Sequence, residues 1–145
     1  MKRKELALFA LIILIATAAM PSIDAAASQE TFVYAEYAPR ARFSVIGTCI
    51  SSLELQSSGL LVCRAETSVT PGNTAGVTIE LQQSVNGVWT TIKTWSASKA
   101  TRISLTETWS VAKGTYRLQC THTAKNSSGT LLDSFVMQSN TVTYK

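Results

Sequence analysis

Histidine is almost missing from this sequence. His122 is the only one in 145 residues, and charged side chains make up 15% of the chain. Aspartate is equally scarce, confined to Asp24 and Asp133. Each scarcity removes a class of chemistry. A hydrolase needs a nucleophile, a base and a group that orients the base. A lone His122, near the end of an alternating stretch, reads instead as a partly exposed edge histidine. Glu54, Glu66, Glu80, Glu107 and Asp133 fall one per segment, with no close pair for glycoside chemistry. Zinc sites want closely spaced Cys or His ligands, whereas Cys49, Cys63 and Cys120 are separated by 14 and 57 residues. Calcium loops gather Asp or Asn oxygens, and Asp133 is the one aspartate beyond residue 27. Glycine-rich phosphate loops are absent as well. No catalytic residue, metal ligand or cofactor is therefore expected, and an enzyme is not the expected reading.

Long hydrophobic runs are also scarce. The single one, Leu6 to Met20, is interrupted only by Thr17 and is shorter than the roughly 20 apolar residues a spanning helix needs. Lys2, Arg3 and Lys4 precede it, Pro21 ends it, and Ala25-Ala26-Ala27 supplies small residues for a signal peptidase. The expectation is a cleaved signal peptide over 1–27 and a secreted product beginning at Ser28, with no membrane contact after cleavage. Residues 28–39 read as a leader or a short edge strand. The ten cations that follow residue 27 are scattered rather than gathered in a patch, which is not the footprint of a nucleic-acid binder. Asn126-Ser127-Ser128 matches a glycosylation acceptor, a pattern without meaning in a bacterial protein.

What the chain has in quantity is period-two alternation in Thr, Ser, Val and Ile, the residues that strands prefer. Turn signals recur about every ten residues, the spacing of a sandwich or barrel. Strands are predicted near 41–55, 60–69, 76–85, 88–95, 101–108, 115–124 and 131–144, seven or eight once a break in the first is allowed. Asn86-Gly87 predicts a two-residue hairpin, because both central residues of a type I′ turn need positive φ. In the unbroken register Glu80 pairs with Lys93, and both Trp89 and Trp95 lie on the wet face. A bulge between the two tryptophans turns Trp95 inward, and that is the favoured expectation. Strands 60–69 and 115–124 each offer a cysteine on an alternating apolar face. Cys63 and Cys120 are thus the candidate disulfide across the core, with Cys49 able to replace either; the alternative is that all three are small buried hydrophobes, as free cysteines often are.

The block LQQSVNGVWTTIKTW (residues 81–95), followed by KGTYRLQCTHTA (113–124), resembles a family of small secreted proteins of Gram-positive bacteria carried as a domain of unknown function. The resemblance covers roughly residues 40–145 and implies an immunoglobulin-like antiparallel β-sandwich. It implies no catalytic or binding residue. The functional expectation comes from the residues themselves. Trp89 and Trp95 beside Gln82, Thr91 and Lys93 suit an extracellular glycan or peptide, although the same tryptophans could simply cap a core or cover a sheet edge. The alternative is a self-assembling or envelope-associated protein that docks through an edge strand, Leu131 to Tyr144.

Overall fold

The computed structural model describes residues 44–145, so the expected signal peptide and the 28–39 leader lie outside the described residues. Eight strands follow one another: β1 (Ile46–Leu55), β2 (Leu60–Val69), β3 (Thr74–Val85), β4 (Val88–Ala100), β5 (Arg102–Ser110), β6 (Gly114–Lys125), β7 (Leu131–Gln138) and β8 (Val142–Tyr144). They form two antiparallel sheets, one ordered β1-β2-β5 and the other β4-β3-β6-β7, with β8 also paired to β6. This is the all-β sandwich that alternation and turn spacing predict. Its strand order is that of the immunoglobulin-like type, with the strand between β3 and β5 attached to the β3 sheet.

Local sequence explains most of the boundaries. Asn86 and Gly87 take φ of 51° and 79°, the left-handed pair a type I′ hairpin requires. Asn126 accepts bonds from the Ser128 and Thr130 amides and closes the β6–β7 turn. Two boundaries differ from expectation. Ser96-Ala97-Ser98 is no break: β4 continues to Ala100, and the chain changes sheet at Thr101, with φ of 66°. The Thr101 amide donates to Asn73 and its carbonyl accepts from Val69, so tertiary partners hold that corner. The last strand divides at 139–141, where Ser139 and Asn140 bond to Leu118 and Leu53 instead.

The core lies between the sheets. Leu61, Cys63, Ala65 and Thr67 of β2 face it, as do Ala75, Val77, Ile79 and Leu81 of β3 and Tyr116, Leu118, Cys120, His122 and Ala124 of β6. At the start of β6 the Tyr116 hydroxyl donates to the Ala112 carbonyl at 2.7 Å. That bond ties the strand back over its preceding corner, as the tyrosine corner of immunoglobulin-like domains does. On the far side, β1 is stitched to β7 and β8 by side chains. Asp133 accepts from the amides of Ser44, Val45 and Ile46, and Asn140 exchanges two bonds with the Leu53 backbone. Burial on its own would raise the Asp133 pKa, but these amides and the Ser44 hydroxyl outweigh it and hold the carboxyl below its ordinary value.

Two buried groups correct the sequence reading. His122 is fully buried rather than partly exposed. Its position shares the inward parity of Tyr116, and β7 covers the end of β6 that the sequence leaves open. Cys49, Cys63 and Cys120 are free buried thiols, not a bridged pair and a single. In bridged domains the second cysteine stands two residues after the corner tyrosine. Leu118 holds that position here, and Cys120 lies one inward position further along. Burial raises each thiol to about 12; the Ser51 side chain opposes this at Cys120 while the nearby Cys63 and Glu80 add to it, and Glu107 adds to it at Cys63.

Candidate ligand-binding faces

The β3–β4 register decides where the expected binding residues point. Val85 to Gln82 pair with Val88 to Thr91, but Leu81 pairs with Lys93, so Ile92 is an unpaired extra residue. This bulge inverts everything beyond it. Trp95 then pairs with the core residue Ile79 and turns inward, while Trp89, opposite Ser84, stays on the outer face. The Glu80–Lys93 pair of the unbroken register is lost for the same reason. Thr94 stands opposite Glu80, whose carboxylate accepts from Gln119 at 2.9 Å.

The five expected residues therefore divide between two places. Trp89, Gln82 and Thr91 lie on the outer face of the five-stranded sheet. There the Arg117 guanidinium stacks 4.3 Å from the Trp89 ring centroid. Its Nε donates to Gln82 at 2.9 Å and a terminal nitrogen to Gln138 at 3.1 Å, while Gln82 reaches Thr91 at 3.4 Å. The planar guanidinium is thus fixed by an aromatic face and by acceptors on two flanking strands. One network spans β4, β3, β6 and β7, and its side chains are held before any ligand arrives.

Trp95 and Lys93 lie elsewhere, along the seam between the edge strands β4 and β5. Trp95 meets Trp109 of β5 edge-on, with centroids 6.2 Å apart and planes at 75°. The Lys93 ammonium sits 4.7 Å from the Trp109 ring and 5.8 Å from Trp95. This cluster closes the open side of the sandwich. An inward-facing lysine and a bulge on an edge strand also discourage further strand pairing.

Arg117, Gln138 and Trp109 are not among the residues that the sequence singles out. Alternation assigns Arg117 to the non-core face of its strand, but its neighbours on β3 and β7 come from strand order, which alternation does not encode. The acids are dispersed among separate tasks. Glu66 pairs with Arg102 at 2.6 Å, Glu107 stands opposite Cys63, and Asp133 binds the Ser44, Val45 and Ile46 amides that lead into β1. Among the described residues no group of three His, Cys, Asp or Glu side chains is placed to hold a metal ion, and no helix is long and apolar enough to cross a membrane. No protein-family model and no curated protein matches the chain.

Proposed function

We propose that this domain is a secreted, non-catalytic binding module that takes an extracellular glycan on the outer face of its five-stranded sheet. The observation that supports it most is the prearranged Trp89–Arg117–Gln82–Gln138 network. A half-buried aromatic beside amide and guanidinium groups offers both the flat apolar surface and the hydrogen-bonding partners that a sugar ring presents in return. Because the side chains are already ordered, binding loses less conformational entropy than it would with free rotamers. The face is otherwise rich in hydroxyl and amide groups, including Thr78, Thr91, Thr94, Ser96, Gln119, Thr121 and Thr123.

Titration calorimetry against cell-wall and plant oligosaccharides tests this. A Trp89→Ala variant should lose at least about tenfold in affinity, the loss of one stacked, hydrogen-bonded anchor. Trp95→Phe, altered in the seam, should bind like the parent. Equal binding by the parent and Trp89→Ala would refute the reading. Docking through the final strand draws on the exposed Leu131, Leu132 and Val136. Asp133 and Asn140, however, already join that strand to β1, which favours the sheet face over the edge.

A further inference from the structure

At the other end of the same outer face, β3 carries a glycine in its interior. Gly76 is not among the glycines with positive φ, so the backbone does not require it. Space does: a Cβ there would stand 2.4 Å from the Thr123 hydroxyl. Interior strand glycines mark places where another group approaches the backbone closely. The Thr123 hydroxyl takes up that space, and around it lies a depression of about 300 Å³, bordered by Thr74, Thr78, Ser98, Thr123 and Lys125. That is the lower end of the size range of small-ligand sites.

The electrostatics of this end are one-sided. Lys125 borders the depression, whereas Lys99 stands opposite the core residue Ala75 and so faces the other way. Glu80, the acid on this outer face, lies two outward positions away and is engaged by Gln119. Asp133 pairs with inward-facing Ala124, and its carboxylate is spent on the amides that lead into β1. Arg117 and Lys125 lie on the same face of β6, eight residues apart, which is about 27 Å of strand. A cation thus stands at each end of a hydroxyl- and amide-lined track.

We infer that the depression at Gly76 is a subsite for an acidic group of an extended glycan, a carboxylate or phosphate held by Lys125 and the neighbouring hydroxyls. The inference rests on the glycan-binding reading and narrows it to anionic polysaccharides. Hydrogen bonds to a charged group are stronger than those between neutral partners, and an exposed ion pair weakens with salt.

The test compares tetragalacturonate, a phosphorylated mannan oligosaccharide and neutral cellotetraose by calorimetry at low and high salt. At least one acidic probe should bind about three- to tenfold more tightly than cellotetraose, with a preference that shrinks as salt rises. Which acidic probe prevails distinguishes carboxylate from phosphate. Lys125→Gln, an exposed change, should abolish the preference and leave neutral binding intact. Gly76→Ala should weaken acidic binding by displacing the Thr123 hydroxyl that borders the depression, with melting temperatures checking that both variants fold. An acidic preference absent in the parent, or retained in Lys125→Gln, would overturn the subsite. If Trp89→Ala still loses neutral binding in that case, glycan binding stands without it. Failure of all three probes to bind would overturn both.

Discussion

Acidification should destabilise this domain through His122. The ring is fully buried on β6, and its Nδ1 lies 2.8 Å from the Thr67 hydroxyl. Thr67 in turn donates to the Gly76 carbonyl at 3.1 Å. A hydroxyl has one proton, and the carbonyl can only accept. His122 must therefore carry its proton on Nδ1 and donate to Thr67, which leaves Nε2, buried and without a partner, as the bare nitrogen. Protonating Nε2 would place a charge and an unpaired donor in an apolar core. Burial accordingly pushes the His122 pKa down to about 4, against about 6.5 in an unfolded chain. The folded state binds fewer protons between those values. Stability is then complete above pH 6.5, falls as the pH drops toward 4, and levels off below it. The full loss is on the order of 3 kcal/mol, because each tenfold difference in proton affinity between the two states is worth about 1.4 kcal/mol.

Carboxylates titrate in part of the same window, so the measurement must be a difference. Urea unfolding followed by tryptophan fluorescence at several pH values between 7 and 4 should be run on the parent and on His122→Phe. The variant removes the titrating group while Thr67 keeps its bond to Gly76. The parent should lose about 3 kcal/mol more than the variant over that range. Equal pH slopes in the two proteins would refute the reasoning. So would a histidine that titrates near 6.5 by NMR in the folded protein.

Three further outcomes follow from the same geometry. Tyr116→Phe deletes the corner hydroxyl and orphans the Ala112 carbonyl, so urea melts should show a loss of about 1 kcal/mol with the fold unchanged. The three thiols, raised to about 12 by burial, should resist alkylation at pH 8 in the folded protein. Intact mass should then show three additions after denaturation, and a single addition would mean a bridged pair. Asp133→Asn replaces a carboxylate that the amides of Ser44, Val45 and Ile46 share at the start of β1. It should destabilise by about 1 kcal/mol at neutral pH, and by less in acid, because the depressed carboxyl contributes stability only above its folded pKa.

Much of the architecture is readable before any coordinates. Alternation places Tyr116, Leu118 and Cys120 on one face of β6 and Arg117, Gln119 and Thr121 on the other, and Asn86-Gly87 sets the hairpin. Both are local properties: side-chain direction follows the two-residue strand repeat, and positive φ belongs to the turn residues themselves. The bulge is foreseeable only as a choice, since Trp89 and Trp95 are six apart and a regular strand would keep them together. The preference of Trp95 for the core is local, but the residue that yields, Ile92, is selected by packing against β3.

Strand order is where sequence reasoning stops. That β6 lies between β3 and β7 is what brings Arg117 against Gln82, Gln138 and Trp89, and what buries His122 under neighbours remote in the chain. The same order sets Trp95 against Trp109 and places the depression at Gly76 beside Lys125. By itself the sequence determined which residues form strands, where they turn and which face of each is apolar, because those follow from backbone sterics and a repeat of two. Only the tertiary structure decided which faces adjoin. Pairing partners are chosen by the collective burial of both sheets, and no single segment carries that information.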